Sequence, residues 1–95
     1  MEFVIYEKPV TTKFIKINGE EFILRDVLDG LYEILEMETF GPMKRYELHT
    51  DLSLMDKFVE MGFVNYYIGS RMAYIYNIKD PVAVKELIDR IEENL

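Results

Sequence analysis

The chain has 95 residues, 49% apolar and 31% charged, with no Cys and no Trp. That is one domain, residues 1–95, apolar enough to fold around a core; the missing Cys excludes disulfides, thiolate metal sites and Cys nucleophiles. The net charge of −7 argues against non-specific nucleic-acid binding, whose affinity comes from excess Lys and Arg.

No stretch approaches the ~18 uninterrupted apolar residues of a membrane span. Residues 1–7 carry no basic region and no small-residue cleavage site, so no signal peptide is expected and the expected compartment is the cytoplasm. Gln is absent while Glu, Ile and Lys are plentiful, a composition found in thermophiles. The charge is uneven. Residues 1–40 hold nine acids against four bases, and residues 41–80 hold five of each, so an anion would have to bind the middle of the chain.

The opening run Phe3–Tyr6 is rich in Val, Ile and aromatic residues, which is strand composition, and Pro9 ends it. The runs Lys13–Ile17 and Glu20–Leu24 flank Asn18-Gly19, the strongest short hairpin signal, because both turn positions need positive φ. Region 1–24 is therefore an N-terminal β-hairpin region.

From Leu24 the period changes. Leu24, Val27, Leu28, Leu31, Ile34 and Leu35 fall on one stripe of an amphipathic helix, with Arg25, Asp26, Asp29, Glu33 and Glu36 on the other side. Gly30 inside this helix implies close packing against a neighbour. The helix is expected to stop near Thr39, ahead of Gly41 and Pro42.

Residues 43–51 fit two patterns. Pro42 suits the first position of a short helix over Met43–His49, the preferred reading. The alternation of Tyr46, Leu48 and Leu52 with Glu47, His49 and Asp51 suits a strand instead. Asp51 or Ser53 then caps a second helix, Ser53 with Asp56 resembling a capping box; Leu54, Met55, Phe58, Val59 and Met61 form its apolar side, and Gly62 its exit.

A second hairpin follows, with Phe63–Ile68 and Arg71–Ile78 around a two-residue turn Gly69-Ser70. Pairing 68 with 71 puts Val64, Tyr66, Ile68, Ala73 and Ile75 on one face and Phe63, Asn65, Tyr67, Met72, Tyr74 and Tyr76 on the other. Asp80-Pro81 opens the last helix, with Val84, Leu87, Ile88, Ile91 and Leu95 as its apolar stripe.

The order helix, short helix, helix, Gly, hairpin, helix over region 24–95 resembles a winged-helix domain. Phe58-Val59-Glu60-Met61-Gly62-Phe63-Val64 resembles the junction between recognition helix and wing in many archaeal and bacterial regulators. Tyr32-Glu33-Ile34-Leu35, with Gly41-Pro42-Met43-Lys44-Arg45-Tyr46-Glu47-Leu48, resembles the start of a PadR-type regulator. Leu48 to Gly62 is short for a full second helix, turn and recognition helix, so the resemblance is to a degenerate winged helix. The expected fold is α+β: a winged-helix-like domain with an extra N-terminal β-hairpin and a C-terminal helix.

Little in the sequence points to catalysis. His49 is the only His; on a strand Glu47, His49 and Asp51 would share one face, but a solvated polar edge explains them as well. Ser53 and Ser70 lack nucleophile motifs, and the glycines are scattered singly. The expectation is a non-enzymatic domain without cofactor or metal.

The second hairpin has more to say. Its expected aromatic face is too apolar for a freely solvated wing. The N-terminal hairpin could cover it, a homodimer or another protein could, or Tyr67, Tyr74 and Tyr76 could stack on single-stranded nucleic acid. The preferred reading is a protein interface of Phe63, Tyr67, Met72, Tyr74, Tyr76, Ile91 and Leu95, in a homodimer or with another protein. The alternative is a sequence-specific DNA-binding regulator using Lys44, Arg45, Lys57 and Arg71.

Overall fold

The computed structural model describes residues 2–9 and 11–95. Strands β1 (Phe3–Glu7), β2 (Lys13–Ile17) and β3 (Glu20–Ile23) form an antiparallel sheet in that order. The turn between β2 and β3 is the expected one: Asn18 and Gly19 both have positive φ, 52° and 85°, and Ile17 pairs with Glu20. Alternation then decides the faces. Phe3, Ile5, Ile15, Ile17 and Phe22 turn to the core, and Ile15 and Ile17 are fully buried.

Helix α1 (Leu24–Phe40) starts directly after β3 and closes at Gly41, whose N–H bonds the Met37 carbonyl at 2.9 Å and whose positive φ then turns the chain out of the helix. Leu24, Val27, Leu31, Ile34 and Met37 are its buried stripe. Gly30 faces α2 (Leu52–Glu60): a Cβ there would lie 2.9 Å from the Phe58 ring and 3.1 Å from Thr50 Cγ2. The helix interior has a Gly because its neighbour occupies the space of the side chain.

Residues 43–51 follow neither pattern to its end. Met43–Lys44 form a short strand β4, and Arg45–Glu47 make one 3-10 turn, closed by the Glu47 carboxylate on the Lys44 N–H at 2.7 Å. The preferred short helix over Met43–His49 is thus corrected. The later strand β6 (Tyr74–Ile78) recruits Met43 and Lys44 into a ladder, opposite Tyr76 and Ile75, before a helix can start.

Asp51 caps α2, accepting the Ser53 N–H at 2.8 Å and the Ser53 hydroxyl. These bonds from Ser53 hold the Asp51 carboxyl below its ordinary pKa. At the other end the Gly62 N–H reaches Val59 at 3.0 Å and the Phe63 N–H reaches Phe58 at 3.1 Å, a Schellman closure. Strands β5 (Val64–Ile68) and β6 (Tyr74–Ile78) form the second hairpin, and the second sheet has the order β4-β6-β5. Helix α3 (Pro81–Glu93), capped by Asp80 on the Ala83 N–H at 3.1 Å, packs along α1 with Val84, Leu87, Ile88 and Ile91 inward.

Among the described residues the result is an α+β fold of three helices and two small antiparallel sheets. The first sheet packs on α1, not over the aromatic rings of β5 and β6. The molecule is elongated, 46 × 24 × 20 Å. Among the described residues no helix is long and apolar enough to cross a membrane.

Candidate interaction surface

The second hairpin does not turn at Gly69-Ser70. Ile68 pairs with Tyr74, and Arg71 and Met72 take the turn at φ 59° and 60°, with the Ala73 N–H donating to the Ser70 carbonyl at 3.3 Å. Gly69 is extended; a Cβ on it would lie 2.7 Å from Ile75 Cδ1. Gly69 makes room for a side chain, and does not supply positive φ. Pairing 68 with 74 instead of 71 is an odd slip, so it inverts the faces of β6 against β5.

Val64, Tyr66, Ile68, Tyr74 and Tyr76 therefore share one face, and Asn65, Tyr67, Ile75 and Asn77 the other. Tyr66 stacks on Tyr74 at 5.4 Å between ring centroids and tilts against Tyr76 at 5.6 Å. Arg45, delivered by the 3-10 turn, lies 4.0 Å over the Tyr74 ring and donates from Nη2 to the Tyr76 hydroxyl at 2.8 Å. That bond to Tyr76 favours the charged guanidinium and raises its pKa further.

The seven expected interface residues are divided by this arrangement. Phe63, Tyr76 and Ile91 are buried in the core of the chain, Phe63 against the Phe58 ring, and cannot face a partner. Tyr74 is half-buried under Arg45. Leu95 is exposed, but it lines a groove with Thr12, Ile23, Leu24 and Leu28, so it does not extend the hairpin surface. Tyr67 and Met72 remain exposed on the hairpin, and Tyr66 and Ile68 join them, each about half exposed or more. Tyr66 and Ile68 were missed because the assumed turn put them opposite the wrong partners.

Two of the four candidate phosphate-binding bases are engaged within the chain. Arg45 is held by the tyrosines, and Lys57 bonds Glu20 at 2.6 Å and Glu60 at 2.9 Å. The bonds to Glu20 and then Glu60 raise the Lys57 pKa. Lys44 lies 5.8 Å over the exposed Tyr46 ring, and Arg71 is exposed at the hairpin tip.

A cleft of about 660 Å³ between α1 and the segment before α2 is lined by Asp26, Asp29, Glu33, Glu36, His49 and Asp51 among others. Glu33, expected on the wet side, is 9% exposed. Its carboxylate accepts the His49 N–H at 2.8 Å, the Thr50 N–H at 2.9 Å and the Thr50 hydroxyl at 2.5 Å. Burial pushes this carboxyl up, but the three bonds together hold it below its ordinary pKa. Glu33 is a clamp that fixes the chain ahead of α2. Its place one helical turn from Gly30, on the α2 side, was the signal available in the sequence. Among the described residues no three His, Asp or Glu converge as metal ligands, the Glu47, His49 and Asp51 trio included.

No protein-family model, no curated protein and no solved structure matches this chain.

Proposed function

We propose that the chain is a small non-enzymatic module that works through protein–protein contacts, assembles as a homodimer and acts in the cytoplasm. The observation that carries this is the outer end of the second hairpin. Tyr66 and Ile68 on one face, Tyr67 on the other and Met72 at the turn stand there in solvent around the tip, on a stretch, residues 61–79, that has no acid in a chain of net charge −7. Apolar and aromatic side chains gathered on an otherwise acidic surface are the composition of a contact patch. The acidic cleft does not compete as a site, since its one buried carboxylate is occupied by His49 and Thr50. Light scattering coupled to size exclusion at micromolar concentration should give twice the mass of the 11.3 kDa chain. Tyr67→Glu should return it to the monomer mass, because it would bury an unpaired carboxylate in the contact. A monomeric wild type at 100 µM would sink the proposal.

The second reading is a degenerate winged helix that binds DNA. The order α1, β4, α2, β5, β6, with β6 between β4 and β5, supports the winged-helix part of it. A 3-10 turn stands where a full second helix would be. The DNA part is disfavoured, because Arg45 and Lys57 are already paired. With so few bases the slope of log K against log salt should not exceed ~4 in magnitude. No mobility shift with random duplex is expected at physiological salt; a tight shift lost in Arg71→Ala would favour this reading over the first.

A further inference from the structure

Beyond the dimer, one face of the second hairpin holds a positive charge that no acid of the chain answers. Among the bases of the chain, Lys57 and Arg45 are the ones withdrawn from solvent; the others are exposed and hydrated. Lys57 is met by two carboxylates, those of Glu20 and Glu60. Arg45 is met by none. Among the described residues its polar partner is the Tyr76 hydroxyl, which takes one N–H of Nη2. Asp56 on α2 is close enough to act on Arg45 through its charge but lies beyond ion-pair distance.

A guanidinium carries five N–H donors and no acceptor. In Arg45 the Nε N–H is buried without a partner, and Nη1 makes no hydrogen bond with the described residues. The Tyr74 ring, 4.0 Å away, stabilises the charge but offers no lone pair to these N–H groups. Withdrawn donors left unspent are uncommon in a folded chain, and most so in one with 18 acids to choose from. The surroundings of the guanidinium are apolar. Tyr66 and Ile68 share its face of the hairpin with Tyr74, and both are about half exposed, so this floor is open to a ligand.

We infer that Arg45, Tyr74, Tyr66 and Ile68 form a binding site for a monocarboxylate with an apolar body. The carboxylate accepts the unspent guanidinium N–H groups, Nη1 foremost, and the apolar part lies on the Tyr66 ring and Ile68. One guanidinium calls for one negative charge. The Asp56 charge nearby works against a phosphate dianion, and the neighbouring bases are turned to other partners, Lys44 to the Tyr46 ring and Lys57 to its two acids. Because Tyr76 and Tyr74 already hold the guanidinium, little side-chain freedom is lost when the ligand arrives.

The probe is N-acetyl-leucine, a monocarboxylate on an aliphatic body, titrated into the intact chain at pH 7 and followed by nuclear magnetic resonance. The Arg45 Nε–H and the Tyr66, Ile68 and Tyr74 amides should shift together, with a Kd of about 1–10 mM, the range for so small a ligand. N-acetyl-leucinamide, of nearly the same shape but neutral, should bind about tenfold more weakly. Arg45→Gln should weaken the carboxylate by about tenfold or more. Ile68→Glu leaves Arg45 in place and sets a like charge on the floor; it should also weaken binding about tenfold, and it decides the matter if Arg45→Gln does not fold. Tyr67→Glu, on the opposite face, should bind within about twofold of the wild type, while its mass in light scattering reports the dimer separately. Equal binding of the amide, binding indifferent to Ile68→Glu or to a folded Arg45→Gln, or inorganic phosphate shifting the same resonances at lower concentration overturns the site, whether or not the chain dimerises.

Discussion

The two sheets of this protein have the same number of strands and treat their outer surfaces in opposite ways. On the first, the outward rings of Tyr6 and Phe14 stack at 5.9 Å and are wrapped by the chain's own charges. Lys8 sits 4.4 Å over Phe14, Lys16 lies 5.9 Å over Tyr6, and Glu21 accepts from both the Tyr6 hydroxyl and Lys8. On the second, one cation, Arg45, sits among the rings, and the outer end of the hairpin is bare. Strand pairing alone does not decide whether a sheet is finished; the charges supplied around its rings and edges do.

The largest expected effect separates core from surface. Ile15→Ala in the first sheet removes a fully buried side chain and should cost about 2–5 kcal/mol in urea unfolding. Tyr67→Ala in the second should change the stability of the isolated monomer by no more than about 0.5 kcal/mol. A Tyr67→Ala loss as large as that of Ile15→Ala, measured under dilute monomeric conditions, would mean the second hairpin is as finished as the first.

The next effect is one of pH. The first sheet is tied to α1 by apolar packing, whereas the segment leading into α2 is tied by the Glu33 carboxylate. The folded pKa of Glu33 lies below its unfolded value of 4.5, so its contribution is complete above that value and is lost as pH falls through the folded pKa. Glu33→Ala leaves the His49 and Thr50 donors unpaired and should cost about 1–3 kcal/mol at pH 7. That difference should shrink on acidification below about pH 4.5, the normal range of Glu ionisation. A pH-independent difference would show that Glu33 acts through packing alone.

The smallest effect tests the wrapping itself. The hydrogen bond to ionised Glu21 pushes the Tyr6 phenol up from 10.0 to about 12. In an ultraviolet titration of the folded chain, Tyr6→Phe should remove a step near that value. Loss of a step near 10 instead would mean that Tyr6 is not held by Glu21.

The same contrast governs what could be read from the sequence. Asn18-Gly19 is a turn of one meaning, because both residues accept positive φ, and the hairpin of β2 and β3 followed from it. Gly69-Ser70 has two meanings. A Gly can supply positive φ or can make space, and here it makes space for Ile75 while Arg71 and Met72 take the left-handed positions. Only the three-dimensional neighbour distinguishes them, so the register was lost, and with it Tyr66 and Ile68 as surface residues. Helices α1, α2 and α3 were legible, since their period and the Gly62 exit are local, whereas the short helix expected over Met43–His49 gave way to pairing with β6, which no local signal reports. The burial of Glu33 had only its place one turn from Gly30 to mark it, because two of its three partners are backbone N–H groups, which carry no residue identity.

The left-handed pair at the hairpin tip also bears on the order in which the chain folds. Asn18-Gly19 can close its hairpin from the turn outward, on the microsecond scale of an isolated hairpin. Arg71 and Met72 resist their conformation, at an order of 1 kcal/mol each, until ring stacking and β4 hold them. We expect the second hairpin to form after the transition state, with φ-values near zero at the buried Tyr76, against fractional values at Ile15. High φ-values at Tyr76 would contradict this. A hairpin that closes only once the body of the molecule is complete presents no ordered strand edge while the chain is most exposed to aggregation.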